Sequence, residues 1–409
     1  MKRIAIIGGG PSGSALATFL ALRGIEATIF DDGKRPDLIV GESLIPALIP
    51  LLRKLGVEER VAEISVYKPG VTFILHHDSP IHFNFSAVRR CKLPTYAYNT
   101  PRPEFDRVIA HRALEVGARR VSVRARLEVD GDRLFLANES LAAAPWLDGK
   151  QPDLLVDATG RTRLFAKTLG IPARAGSRKD VAHFAHFEDC EQEGPAGQVL
   201  IGRMEAGWCW RIPLRNRLSI GIVVNRDDAA KLGSTPEERL LTAMRTDPRL
   251  ATVTKNARRV SEIATYTNYQ LISERGHGPN WTMSGDAFGF VDPMLSPGMF
   301  MALHSAEWLA DHLDDLEGYA KHISEMLEAW MEFIAYYYDG RMFAAYHTGY
   351  DIIARYNVAP LRWLNRFLEG HIACMASGGT TAGKYARELV KFLTTHGVWK
   401  SNPAEFAIR

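Results

Sequence analysis

The spacing of apolar positions changes period twice near the start of the chain. Arg3 to Ile7 is a short β-branched run, Ser14 to Arg23 carries the three-to-four-residue repeat of a helix closed by Gly24, and Glu26 to Phe30 returns to an extended pattern. This predicts a compact β-α-β unit. A proline-punctuated helix follows over Gly41 to Leu55, then alternating strands over Tyr67 to Phe85, a helix over Phe105 to Glu115, a short β region and a strand over Asp153 to Asp157. Residues 178–275 read as a mainly antiparallel sheet, in which Trp208 to Leu214 and Leu218 to Val224 form the clearest pair, turned through Arg215-Asn216-Arg217. After a strand at Trp281 to Ser284 comes a loop rich in glycine and proline. Helical periodicity then dominates near 300–316, 319–346, 361–370 and 383–396.

The elements predict an α/β chain built from three regions. Residues 1–75, 100–175 and 276–320 form a discontinuous Rossmann-like dinucleotide-binding domain, residues 76–99 and 176–275 an antiparallel substrate-binding sheet, and residues 321–409 a helical C-terminal region.

Chemistry enters at the first turn. Gly8-x-Gly10-x-x-Gly13 lies directly after a strand, with Pro11 and Ser12 opening the helix. The first glycine permits a tight turn, the second lets backbone approach a pyrophosphate, and the third lets helix pack on strand. The helix N-terminus offers unpaired N–H groups to phosphate. Asp31, about twenty residues further on at the end of the second strand, is placed to accept from ribose hydroxyls. The motif alone leaves nicotinamide and flavin dinucleotides unseparated.

Composition narrows the partners. Charged residues make up 24% of the 409 residues and the net charge is only +3, which argues against nucleic acid and anionic membrane surfaces. Lys2-Arg3 before an apolar stretch loosely imitates a secretory signal, but the Gly8-Gly9-Gly10 run speaks against one. No stretch reaches the ~20 apolar residues of a membrane span. Cys91, Cys190, Cys209 and Cys374 are widely spaced, indicating neither a zinc knuckle nor a disulfide framework, so a soluble protein of the reducing cytoplasm is expected.

Four further segments carry a family likeness. At Gly41-Glu42-Ser43-Leu44-Ile45-Pro46, Asp157-Ala158-Thr159-Gly160, Trp208-Cys209-Trp210-Arg211-Ile212-Pro213 and Gly285-Asp286-Ala287-Phe288-Gly289-Phe290-Val291-Asp292-Pro293, the chain resembles flavin-dependent halogenases and their FAD-dependent monooxygenase relatives. The resemblance implies a glutathione-reductase-like FAD fold. It implies that Asp286 binds the ribityl chain, that the loop through Pro293, Gly298 and Met299 lies beside the flavin ring, and that Gly160, Ser43 and Arg102 assist. An aspartate after a strand, followed by a helix start, suits ribityl hydroxyls and the flavin pyrimidine edge on its own terms. The resemblance also implies that Trp208 and Trp210 exclude a docking nicotinamide, so a separate flavin reductase would supply reduced FAD. No second GxGxxG follows a strand.

Within this resemblance, O2 and reduced FAD have two outcomes: oxygen transfer to an electron-rich ring, or oxidation of halide to hypohalous acid. Lys68, in Tyr67-Lys68-Pro69-Gly70, matches the lysine that handles hypohalous acid in halogenases, and Ser296 belongs to the loop that shapes the oxidant pocket. Pro297 stands in that loop where the family holds halide on backbone N–H groups, and proline has none. This tips the expectation to hydroxylation of a phenol, pyrrole or indole, free or tethered to a carrier or peptide, with halogenation as the alternative and an FAD-dependent reductase or dehydrogenase as a third reading. Leu295 stands where tryptophan halogenases carry a glutamate, disfavouring free tryptophan. His304 is expected to face the substrate. His76, His77 and His82 beside Asp78 do not suggest a metal, because adjacent strand residues point to opposite faces.

Overall fold

The computed structural model describes residues 2–75, 80–267, 270–398 and 401–408. Its first layer is a six-stranded sheet centred on β1 (Ile4–Ile7), flanked in parallel by β2 (Ala27–Phe30) and by Leu154–Asp157. Arg119–Val121 extends one side in parallel, Trp281–Met283 the other, and His277–Gly278 closes the edge antiparallel. Every residue of the three central strands is buried, as expected where helices cover both faces. Helix α1 (Pro11–Leu22) returns the chain between β1 and β2 and packs against the helices Arg102–Glu115 and Gly298–Asp311.

The second layer is an eight-stranded, mostly antiparallel sheet. Asp180–Glu188, Leu218–Asn225, Trp208–Pro213 and Val199–Arg203 run antiparallel in that order, and Val199–Arg203 then pairs in parallel with Gly70–Ile74, which is followed by Pro80–Asn84. Gly70–Ile74 therefore lies in this sheet, whereas the expected boundary at residue 75 kept it with the dinucleotide-binding layer. Val66–Lys68 and Ala97–Asn99 form a separate two-stranded antiparallel ribbon.

Both faces of the large sheet are covered. Val181, Ala185, Phe187, Ile220, Ile222 and Val224 face a second core with Leu240, Ala243 and Leu250. These last three belong to helices Pro236–Thr246 and Pro248–Val253, which the reading of 178–275 as a mainly antiparallel sheet did not single out. A capping box between Thr235 and Glu238 marks the first of them and was a readable signal. On the opposite face, Phe184, Trp208, Trp210 and Ile212 look toward the nucleotide-binding layer.

The C-terminal region is helical through Leu316–Tyr338, Arg341–Tyr356, Ala359–Ala376 and Lys384–His396. The apolar repeat predicted one helix over 319–346; it breaks at Gly340, whose φ of 80° and close approach to the Pro403 carbonyl no other residue tolerates. Cys91 and Cys374 form a disulfide, with Cα atoms 6.0 Å apart, joining the segment Phe85–Cys91 to the helix Ala359–Ala376. Their 283-residue separation gave no spacing pattern to read, and the expectation of no disulfide is corrected. Among the described residues no helix is long and apolar enough to cross a membrane.

Candidate active site

At the β1–α1 turn, Gly8 has φ 108°, and a Cβ there would meet the Ala158 carbonyl oxygen at 2.4 Å. A Cβ on Gly13 would meet the Gly8 carbonyl oxygen at 2.0 Å. Gly10 differs: nothing comes nearer than Arg35 Nη1 at 4.0 Å, and it faces a cavity of about 650 Å³. Gly10 caps α1, and Pro11 takes the first helical position, where a missing N–H costs nothing. The Ser12 hydroxyl meets Ser284 Oγ at 2.8 Å, which lies 3.1 Å from Ser305 Oγ, and Ser305 accepts from Gly285 N at 2.9 Å. Serines thus tie the first turn to the distant Gly285-Asp286 loop. Asp31 sits at the end of β2, bound by Arg35 at 2.8 Å and Arg120 at 3.1 Å.

The same cavity runs past Gly160 to Asp286, which lies half-buried on its wall. Burial pushes the Asp286 carboxyl up to about 6, opposed by the Arg102 and Arg161 cations. Arg102 is buried, bound to Asp106 at 3.0 Å and to the Val40 carbonyl. Beyond Asp286, Asp292 caps the turn Pro293–Leu295 by accepting from Met294 N at 2.9 Å. Ser296 takes the left-handed conformation (φ 57°) and donates its N–H to the Pro293 carbonyl. Pro297 is then the cap of the helix Gly298–Asp311, and Gly298 and Met299 line the cavity. The far wall is Phe184, Trp208 and Trp210, the last two on one face of their strand.

The two indoles are held differently. Trp208 donates to Tyr338 Oη at 2.8 Å, and Tyr338 donates to Asp292 at 2.9 Å; Trp210 donates to Ser219 at 3.2 Å. Burial pushes the Asp292 carboxyl up to about 7.

The cavity fits FAD. It is elongated from an acid at a strand end, through an open glycine on a helix N-terminus, to a half-buried carboxylate and a second helix N-terminus, the order of groups that ribose, pyrophosphate, ribityl and flavin ring require. Asp31 and Gly10 would hold the adenosine and pyrophosphate, Asp286 the ribityl chain, and Gly298 and Met299 the ring.

Lys68 lies on the other side of the flavin loop. It is 1% exposed, its Nζ donating to Ser43 Oγ at 2.7 Å and to the Leu44 carbonyl at 2.9 Å, with the Phe85 ring centroid 5.3 Å away. Burial lowers its amine to about 7. It lines a small cavity of about 50 Å³ that shares Ser43, Val199, Ile201, Met294 and Ser296 with the large one.

His304 is placed elsewhere. It contacts His322, Nε2 to Nε2 at 2.9 Å, and stacks on Phe300, and it lines neither cavity. Burial first, and His322 second, lower it to about 4. The expected substrate-facing position is corrected: on the helix Gly298–Asp311 the cavity side is taken by Gly298, Met299 and Ala302. His76, His77 and Asp78 lie outside the described residues, and His82 Nδ1 meets Thr72 Oγ1 at 2.9 Å. Among the described residues no three metal-ligating side chains come together.

One pair escaped the sequence reading. Glu42, 2% exposed and on the cavity wall, is bound by His186 Nε2 at 2.6 Å, itself 5% exposed. Glu42 stood in the motif beside Ser43, but only the fold brings strand Asp180–Glu188 to it. His186→Leu strands a buried carboxylate and is expected to cost ~3–5 kcal/mol, whereas the double variant Glu42→Leu/His186→Leu recovers most of that in denaturant unfolding.

The comparisons agree with this geometry. The family model described as tryptophan halogenase matches residues 3–93 and 90–342. A tryptophan 2-halogenase of Chondromyces crocatus is 31% identical over 319 residues, covering 74% of this chain and 59% of that protein. A 1H-pyrrole-2-carbonyl-[peptidyl-carrier protein] chlorinase of Pseudomonas fluorescens is 25% identical over 377 residues, covering 82% and 83%. The solved structure of a triple mutant of the flavin-dependent brominase Bmp2 superposes with a TM-score of 0.76 at 20% identity, covering 97% of this chain and 99% of that one, which is a likeness of fold. The chain spans about three-fifths of the length of several curated relatives, the Chondromyces protein among them. With the family model matching across both sheets and the Gly285–Met299 loop, this chain belongs to the tryptophan halogenase family.

Proposed function

We propose that the protein halogenates an electron-rich aromatic ring, using reduced FAD from a separate flavin reductase, O2 and chloride or bromide. The observation that carries the reading is the seat of Lys68, a buried amine on the wall of an apolar pocket that shares five residues with the cofactor cavity. Bound FAD, once reduced and exposed to O2, supplies the two-electron oxidant. Lys68 takes up or orients the oxidised halogen and presents it to the ring. Ser43 and the Leu44 carbonyl fix the amine's direction, leaving one donor or lone-pair position for the pocket.

This reverses the preference for hydroxylation drawn from Pro297. Pro297 is the helix cap, and Ser296 N–H is already given to the Pro293 carbonyl, so the donors that could hold a halide are the first N–H groups of the helix, on Gly298 and Met299. The missing proline N–H therefore removes nothing that this seat uses. Relatives named as halogenases or chlorinases favour the same outcome, and the carrier-bound pyrrole of one of them keeps a tethered substrate within the proposal.

Single-turnover oxidation of the reduced, FAD-loaded protein in air, with and without bromide or chloride and with a phenol as trap, tests it. Halide-dependent halogenated phenol is expected. A hydroxylated product whose yield ignores halide would return hydroxylation to first place.

The amine sets a pH dependence. An ordinary lysine is neutral in roughly one molecule in three thousand at pH 7, but Lys68 at about 7 is neutral in about half. The neutral amine carries the lone pair that receives halogen, so halogen transfer should rise as pH increases through about 7, read as product formed per turnover. The same lowered value means the unfolded chain binds the extra proton between pH 7 and the ordinary lysine range, so this group's contribution to stability rises with pH across that window.

A further inference from the structure

We infer that Tyr338 is a positioning residue: its hydroxyl fixes the Pro293–Leu295 turn against Trp208, so that Met294 closes the partition between the cofactor cavity and the small cavity of Lys68. Its bearing on halogen transfer rests on the reading of the chain as a halogenating enzyme; its hold on Met294 does not.

The two cavities meet at Ser43, Val199, Ile201, Met294 and Ser296. Four of these are fixed where they stand. Val199 and Ile201 lie in a strand paired on both sides, Ser43 accepts from the Lys68 amine, and Ser296 is held in its left-handed turn by the bond to the Pro293 carbonyl. Met294 carries the one long, unbranched side chain among them and is 1% exposed. An oxidised halogen made beside the flavin and used at Lys68 crosses the partition that this side chain fills.

Three hydrogen bonds in series hold Met294. Trp208 Nε1 donates to Tyr338 Oη at 2.8 Å, Tyr338 donates to Asp292 Oδ2 at 2.9 Å, and Asp292 Oδ1 accepts from Met294 N at 2.9 Å. Their direction is forced, because an indole nitrogen only donates, so the Tyr338 oxygen accepts and its single proton goes to Asp292. Tyr338 is 6% exposed and lines neither cavity, so it acts by aiming residues that do. It is itself clamped at the last position of the helix Leu316–Tyr338. Its carbonyl accepts from Ile408 N at 2.9 Å, and the Arg178 guanidinium lies 4.0 Å from its ring centroid, tied to Asp180 at 2.6 Å and to the Ile408 carbonyl at 3.2 Å. One phenol oxygen thus joins the large sheet, the flavin loop and the C-terminal helices. Without it, the 1% exposed Asp292 carboxylate loses one of its two donors and the turn loses its brace.

The first test needs neither halide nor substrate. The oxidised, FAD-loaded protein is treated with dilute hydrogen peroxide at about pH 8, where Asp292 is ionised. Sulfoxide is then measured by peptide mass at Met294 and at Met244, which is buried in the second core and reports general opening. Tyr338→Phe keeps the ring and removes only the oxygen. It should raise Met294 oxidation roughly tenfold or more with Met244 unchanged, the factor that a lost bond to a charged group is worth in holding the turn. Asp292→Asn, whose amide offers Tyr338 a donor in place of an acceptor, should do the same. Tyr336→Phe, which removes a hydroxyl that donates to Glu332 from the same helix, should change neither. In single turnover with bromide, a phenol and an excess of external thioether, Tyr338→Phe should shift oxidant from halogenated phenol to thioether sulfoxide. The sum and the rate of flavin reoxidation should stay unchanged, a split that general loss of stability does not produce. Met294 oxidation at the wild-type rate in both Tyr338→Phe and Asp292→Asn, an equal rise at Met244, or an unchanged split would each overturn the assignment. A wild-type protein that makes no oxidised halogen counts against halogenation alone, and Met294 oxidation then decides the role of Tyr338.

Discussion

Lys68→Met is expected to lower halogenated product per flavin turnover by ~10²–10⁴-fold while flavin reoxidation in air proceeds unchanged. Methionine fills the same narrow space, so no cavity is left. The variant strands Ser43 Oγ and the Leu44 carbonyl without their donor, a cost of ~1–3 kcal/mol, but it also removes a buried amine that burial already penalises, and the fold should survive. Arginine should not rescue, because it is larger and always charged in a site only 1% exposed. Single-turnover product yield against flavin absorbance separates the steps, and a yield equal to wild type would remove Lys68 from the mechanism.

The second large effect concerns the glycine turn, where two positions of one motif should both lose FAD but differ in stability. Gly13→Ala places a methyl group 2.0 Å from the Gly8 carbonyl oxygen and 3.1 Å from Ala158 Cβ, so α1 must leave β1; a loss of ~1–3 kcal/mol or more in stability and of FAD together is expected. Gly10→Ala meets nothing within 4.0 Å and should fold normally. Its methyl group enters the channel that the pyrophosphate follows, with roughly a hundredfold loss of FAD affinity for ~3 kcal/mol. Thermal melts with flavin titrations distinguish the two, and equal melts for both variants would contradict the geometry.

Much of the first layer was legible because its signals are local. β1, α1 and β2 are each set by a few consecutive residues, and the glycine pattern needs only the turn they enclose. The Gly285-Asp286 loop was readable for the same reason. The large sheet was read as a sheet, but the helices over 226–253 were lost, because a strand buried on both faces, such as Asp180–Glu188, carries no alternation to show where another layer covers it. The small cavity beside Lys68 was the least legible part. Lys68, Phe83 and Met294 come from three separate segments, and a lysine in a strand reads as surface until the fold buries it. His304 shows the opposite error: a histidine near the flavin loop in sequence faces away from it, because a helix turns its sides in a period that proximity along the chain ignores.

The large cavity has walls drawn from β1, from the Gly41–Ser43 loop, from strand Trp208–Pro213 and from the start of helix Gly298–Asp311, so it spans the seam between the two sheets rather than lying within either. A cofactor seated there is a third layer of the protein as much as a reagent. By mass action, free FAD at a hundred times its dissociation constant adds ~2.7 kcal/mol to the folded state. Flavin bound there therefore adds stability to two sheets that already share one continuous core, a contribution separate from any chemistry the cofactor serves.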